Sequence, residues 1–355
     1  MTTCSFCGKT VEGTALHAGR DGSAICHACV SSLAQQSPPE FKPIPGRVLP
    51  RFAGIPTFFR LPHWEQVKGA DVAILGIPFD GGTSYRPGAR FAPRAVRAAS
   101  CMGRGFQTGT RADIFQELCL CDAGDVAAIP IDMAKTLHNI TARIREVLAA
   151  GAIPLSVGGD HSVTLPILRA YAGASLLGGR KLAMVHFDAH MDTYPPSWGV
   201  DFHHGTPFRH IVEEGLAEPR DIIQVGIRGP LAGADDEDFA HRHGFEVITV
   251  DEVRERGARH VGERLKRLAG KPVYVSFDID GMDPSCAPGT GTPVPGGLDT
   301  YECQVILRAL ARLELVGMDL VEVAPDFDPS GITALTAVTM MQEWLGALAV
   351  SRRKR

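Results

Sequence analysis

Residues 182–192 read Leu-Ala-Met-Val-His-Phe-Asp-Ala-His-Met-Asp. Leu182 to His186 is an apolar run that reads as a buried strand. Behind it, Asp188, His190 and Asp192 place three metal-ligand types at i, i+2 and i+4. In extended chain alternate side chains share a face, so the three are expected to project together from one strand end. Phe277-Asp278-Ile279-Asp280 repeats the arrangement behind a second apolar run, Val273–Phe277.

On either side of these two stretches the chain alternates apolar runs with amphipathic segments. Strands are expected at 72–77, 153–157, 182–187, 222–227, 247–250, 273–277 and 315–321. Helices are expected at 93–100, 133–150, 163–171, 235–243, 252–268, 300–313 and 333–349. This alternation predicts an α/β fold: a mainly parallel central sheet covered by helices on both faces, three layers in all. Ligands of such sheets bind beyond the carboxyl ends of the strands, where the aspartates and histidines fall.

The chain has 355 residues, 45% of them hydrophobic and 21% charged. That suits one large domain, placed at 51–350, with a small appendage. The net charge of −4 points to neither a nucleic-acid nor a membrane surface. No stretch approaches the roughly 18 apolar residues of a spanning helix. Met1-Thr2-Thr3-Cys4 lacks the opening of a secretory signal, so the protein reads as cytoplasmic. Ser351 to Arg355 reads as a basic, solvated tail.

Residues 1–32 carry Cys4 and Cys7, then Cys26 and Cys29. Two C-x2-C pairs predict one structural Zn²⁺ held by four thiolates. So short a segment buries little core, and the ion would supply its folding energy. Residues 33–50, with Pro38, Pro39, Pro43, Pro45 and Pro50, read as a semi-rigid linker. Cys101, Cys119, Cys121, Cys286 and Cys303 are scattered and read as ordinary thiols.

Gly158-Gly159-Asp160-His161 follows a strand end and adds a second imidazole. His161, Asp188, His190, Asp192, Asp278 and Asp280 are too many ligands for one catalytic ion. They suit two ions about 3.5–4 Å apart that lower the pKa of a shared water, which makes water the expected nucleophile. Oxygen ligands mixed with imidazole favour Mn²⁺, with Ni²⁺, Co²⁺ and Zn²⁺ fitting less decisively. A G-x-S-x-G elbow, a P-loop and a G-x-G-x-x-G fingerprint are all absent from the sequence.

On these residues, together with Gly82 to Arg90, Phe202 to Thr206, Ala287 to Pro293 and Val321 to Pro325, the main domain resembles the ureohydrolases, the agmatinase and arginase family. The resemblance implies an arginase-like fold and hydrolysis of a guanidino compound to urea and an amine by a metal-bridging hydroxide. It implies that Asp188 and Asp278 bridge the ions, that His161 and Asp192 complete one, and that His190 and Asp280 complete the other. Asp192 would pass a proton to the departing amine, His204 would act as acid, base and proton shuttle, and Glu322 would grip the guanidinium. The motif around Tyr85 and the Gly-Thr-Gly-Thr-Pro run favour the agmatinase-like subgroup, with agmatine, guanidinobutyrate, guanidinopropionate and guanidine all open as substrates. His203 stands where agmatinases commonly carry Asp. Tyr194, Trp198, Asp201 and His203, with Arg86, Arg228, Asp235 and Asp236, are candidates for recognising the substrate tail. Trimers or hexamers are implied as well. Residues 4–9 and 25–30 resemble the four-cysteine zinc-binding domain of the Clp-protease unfoldase, which implies a protein-contact module able to recruit a partner. Two other readings are a one-zinc deacetylase on the same fold and a non-enzymatic adaptor.

Overall fold

The computed structural model describes residues 2–3, 9–11, 16–18, 24–26, 39–231 and 233–353. They fall into two compact units, Met1–Glu40 and Phe41–Arg355. In the first, Thr2–Thr3 pairs antiparallel with Thr10–Val11, and Leu16–Ala18 with Ala24–Cys26. Cys4, Cys7 and Cys29 lie outside the described residues, and Cys26 is described only as the end of a strand.

The second unit is built on eight strands. They are β1 (Val72–Gly76), β2 (Leu120–Asp125), β3 (Ile153–Val157), β4 (Leu182–Phe187), β5 (Ala217–Ile227), β6 (Glu246–Thr249), β7 (Pro272–Asp278) and β8 (Glu314–Val321). Their order across the sheet is β6-β5-β4-β7-β8-β3-β1-β2, with every neighbouring pair parallel. The chain passes from β3 to β4 across a gap that β7 and β8 later fill. The four central strands therefore come from distant parts of the sequence.

Strands buried on both faces read as continuous apolar runs because both faces must be covered. Alternate residues feed different cores. Val72, Ile74, Val185, Phe187, Val275 and Phe277 face one cluster, and Ala73, Leu75, Met184 and Tyr274 face the other. The first core is closed by α1 (Ala92–Ala99), α6 (Val250–Arg256), α7 (Ala258–Arg264), α8 (Thr300–Ala309) and α9 (Ile332–Arg353). The second is closed by α2 (Met133–Ala149), α3 (Thr164–Tyr171), α4 (Pro207–Glu213) and α5 (Asp238–His243). This is the three-layer architecture expected from the alternation. Among the described residues no helix is long and apolar enough to cross a membrane.

Two expectations need correction, and β2 and α4 have no counterpart in the sequence reading. The helix expected over 252–268 breaks at Gly257, whose φ of 82° ends α6 before α7 begins. The edge strand β2 gives no apolar signal because it reads Leu-Cys-Asp-Ala-Gly-Asp. Its Asp122 is buried against the Arg97 guanidinium at 2.8 Å and the Phe58 N–H at 2.9 Å. Helix α4 was not anticipated; it starts on Pro207, whose fixed φ suits a first turn. Ser351 to Arg353 is no tail: it is the last turn of α9, with Ser351 buried and the two arginines paired to Asp71 and Glu117.

Candidate metal centre

The ligand candidates sit at or just beyond the carboxyl ends of β3, β4 and β7, with Asp278 the last residue of β7, and Glu322 follows β8. Asp188, His190 and Asp192 do converge, but not as an extended strand. Strand β4 ends at Phe187, the chain bends, and Asp192 takes a left-handed φ of 52°. Glu322 is left-handed too, at 64°. Such conformations cost non-glycine residues about 1–2 kcal/mol and persist where the surrounding fold holds them.

His161 Nδ1 lies 3.1 Å from Asp188 Oδ2, 3.0 Å from Asp192 Oδ2 and 3.1 Å from Asp278 Oδ2. It is buried and hydrogen-bonds to none of them. Three carboxylate oxygens ringing an imidazole nitrogen, with no hydrogen bond among them, fit a shared cation. A second group lies beside it: His190 Nδ1 is 3.4 Å from Asp188 Oδ1 and 3.2 Å from Asp280 Oδ2. Asp188 thus turns one oxygen to each group. Backbone N–H groups aim the carboxylates: His190 N donates to Asp188 Oδ1 at 2.6 Å and Asp280 N to Asp278 Oδ1 at 2.8 Å. Thr292 Oγ1 donates to Asp280 Oδ2 at 3.1 Å.

The electrostatics calls for cations as well. Burial, then the charges of Asp280 and Asp188, push the Asp278 carboxyl well above its usual range. Burial likewise raises Asp280. Burial acts upward on Asp188 too, but His186, His161 and His190 outweigh it and hold that carboxyl well below. Burial lowers His161, yet its carboxylates drive it far above the ordinary imidazole value. These places favour positive charge, which either protons or metal ions can supply.

His204 Nδ1 is 2.8 Å from Glu322 Oε1, which also accepts from His161 N at 2.9 Å. Against burial, the Glu322 carboxylate pushes His204 up to about 9, which favours its acid form at neutral pH. Ser84 Oγ, 2.7 Å from His204 Nε2, can accept that proton, while the Ser84 N–H at 3.2 Å opposes it. A ring poised between the two forms suits proton transfer.

A pocket of about 160 Å³ opens onto the cluster, lined by Ser84, Tyr194, His203, His204 and Thr292 above His190, Asp192, Asp278 and Asp280. Tyr194 and His203 are thus both part of the pocket wall. Trp198 stands exposed with its ring 5.9 Å from that of His203. Arg86 and Arg228 are otherwise engaged. Arg86 donates to the carbonyls of Thr290 and Gly291 and lies over the Phe327 ring, and Arg228 donates to five carbonyls that include Asp280 and Gly281. Both tie loops together. Asp201 is exposed, Asp236 caps Gly233 N, and the Asp235 side chain lies outside what is described.

Beneath the ligands runs a polar row that the sequence reading missed. Gln224, His186, Ser276, Asp319 and Ser156 occupy successive partner positions across β5, β4, β7, β8 and β3. All five are fully buried. Ser276 Oγ meets His161 Nε2 at 2.9 Å and donates to Asp319 Oδ1 at 2.7 Å. The signal was present in the chain as one polar residue inside each apolar run.

The sequence pattern of the arginase family matches residues 70–346. Guanidinopropionase of Pseudomonas aeruginosa is 46% identical over 87% of this chain and 96% of its own. Agmatinase of Chromobacterium violaceum is 42% identical over 81% of this chain and 86% of its own. The solved structure of proclavaminate amidino hydrolase from Streptomyces clavuligerus is 43% identical and superimposes with a TM-score of 0.80, covering 85% of this chain and 99% of that one.

Proposed function

The chain belongs to the arginase family, and from that premise we propose that it is a two-metal hydrolase that releases urea from a guanidino compound. The observation carrying this is the ring of Asp188, Asp192 and Asp278 around His161 Nδ1, with His190 and Asp280 alongside. His161, Asp188, Asp192 and Asp278 would hold one ion, and Asp188, Asp278, His190 and Asp280 the other. Carboxylate oxygens mixed with imidazole support Mn²⁺, with Ni²⁺ as the alternative. When bound, the ions lower the pKa of a water and supply hydroxide at neutral pH.

Glu322 binds the guanidinium; its Oε1 is taken by His161 N and His204, and its Oε2 has no hydrogen bond among the described residues. A guanidinium N–H donated to the remaining Oε2 would make a charge-assisted hydrogen bond and orient the carbon for attack. As the carbon–nitrogen bond to the tail breaks, the amine needs a proton. Asp192, between the ligand cluster and the pocket, passes one on, and His204 exchanges protons with solvent at Nε2 beside Ser84.

Among the described residues the pocket walls carry no acid beyond Asp192, Asp278 and Asp280, and His203 lines the wall beside Tyr194. A cationic agmatine tail would find no further carboxylate among these lining residues, and Asp236 acts on Tyr194 from outside the wall. This supports a neutral or carboxylate tail, in line with the relative named guanidinopropionase. A urea-release panel over agmatine, guanidinopropionate, guanidinobutyrate and guanidine, with metal analysis of the same sample, tests the reading. Agmatine outpacing both acids sinks the tail assignment; no urea from any of them sinks the function. The same metal analysis tests the Cys4, Cys7, Cys26 and Cys29 site, which calls for one additional Zn²⁺ per chain.

A further inference from the structure

His186 is fully buried within β4, stacked on the Phe208 ring with centroids 3.8 Å apart. Its Nε2 lies 2.7 Å from Asp188 Oδ2, and its Nδ1 lies 3.0 Å from Gln224 Nε2. Gln224 Nε2 also donates to the Met191 carbonyl at 2.7 Å. A carbonyl only accepts, so the amide nitrogen must face it, and the second amide hydrogen is left for His186 Nδ1. A nitrogen that accepts an N–H carries no proton itself. The His186 proton therefore sits on Nε2 and points at Asp188. His186 is in this way excluded as a metal ligand, although its nitrogen lies within reach of the cluster. Sheet register fixes the arrangement, since His186 and Gln224 are direct partners across β4 and β5.

We propose that His186 is a positioning residue for the metal centre, a tautomer lock held by Gln224 that fixes the carboxylate shared by both ions. Its one N–H occupies one lone pair of Asp188 Oδ2 and sets the carboxylate plane, so that Oδ2 faces the His161 group and Oδ1 the His190 group. A hydrogen bond to a ligating carboxylate orients the ligand and tunes its basicity, and losing such a partner typically weakens metal binding about 10- to 100-fold. The inference rests on the two-ion reading above.

The test uses the full chain loaded with Mn²⁺ and titrated with a chelator, reading the Mn²⁺ retained per chain. His186→Leu removes the donor. His186→Gln keeps an amide N–H close to the Nε2 position. The expected result is that the Leu variant surrenders Mn²⁺ at roughly 10- to 100-fold lower chelator while the Gln variant stays near wild type. Equal retention by Leu and wild type overturns the lock. Equal loss in Leu and Gln also overturns it, because ring packing and not the N–H would then matter. If the Leu variant fails to fold by circular dichroism, Gln224→Met takes its place: it frees the tautomer and is expected to retain Mn²⁺ more weakly, and wild-type retention overturns the proposal. Wild-type protein that holds fewer than two Mn²⁺ beyond the thiolate site overturns the two-ion reading and the lock with it.

Discussion

Asp278 belongs to both proposed ligand sets and His190 to one, so their truncation tests the site at its smallest scale. Asp278→Ala or His190→Ala is expected to lose a metal per chain and nearly all urea release; wild-type turnover in either argues against two ions. Glu322→Gln keeps the shape and removes the charge that meets the guanidinium. Breaking a buried charge pair costs about 3–5 kcal/mol, so kcat/KM should fall by at least about 10²-fold. Steady-state kinetics on the preferred substrate of the panel measures it. The ligand types were readable from residue chemistry alone. The left-handed φ of Asp192 and Glu322 was not, because the conformation is uncommon for any residue with a Cβ and no local pattern marks where the fold imposes it.

Among the elements, the turn after β3 is the tightest. A Cβ on Gly159 would fall on the Phe79 carbonyl, which is backbone and cannot swing away. Gly159→Ala should therefore push the β1 and β3 loops apart, costing at least about 1–3 kcal/mol and lowering the thermal midpoint together with Mn²⁺ retention. An unchanged midpoint would show that the loops can yield. The loop after β7 is pinned by Asp283, which accepts from Gly296 N at 2.7 Å and Gly297 N at 2.9 Å. Hydrogen bonds from Ser285 and then from these amides, against burial, hold its carboxyl down at about 2. A depressed carboxylate stabilises the fold above its unfolded value of about 3.9, and that stability is lost as pH falls toward 2. The gap in urea midpoint between metal-free wild type and Asp283→Asn should be full above about pH 4 and close between about pH 4 and 2. A gap independent of pH rules this out. Long apolar strands could be placed from pattern. The edge strand β2 and the break at Gly257 could not, because a buried aspartate and a single glycine leave no period to read.

For the whole molecule, removal of the ions leaves clustered carboxylates to repel one another. Chelation should abolish urea release and lower the unfolding temperature, and added Mn²⁺ should restore both. Each ion contributes about 2.7 kcal/mol at 100 times its Kd. Thermal denaturation with and without chelator checks this. The two compact units divide after Glu40, so a chain beginning at Phe41 is expected to keep urea release. If it also keeps the assembly state and protein partners of the full chain, the N-terminal cysteine segment has no recruiting role.

What could be read from the chain before folding is what local chemistry encodes. Apolar runs alternating with amphipathic ones predict a parallel sheet between helices, and ligand residue types cluster at its strand ends. What had to wait for the fold is everything that depends on strand order. Because β7 and β8 enter between β3 and β4, His161, Asp188 and Asp278 meet within about 3 Å although they are far apart in sequence. The same register lines up Gln224, His186, Ser276 and Asp319 beneath them. Each is one polar residue in an apolar strand, and it acquires its role only from neighbours that pairing across the sheet supplies.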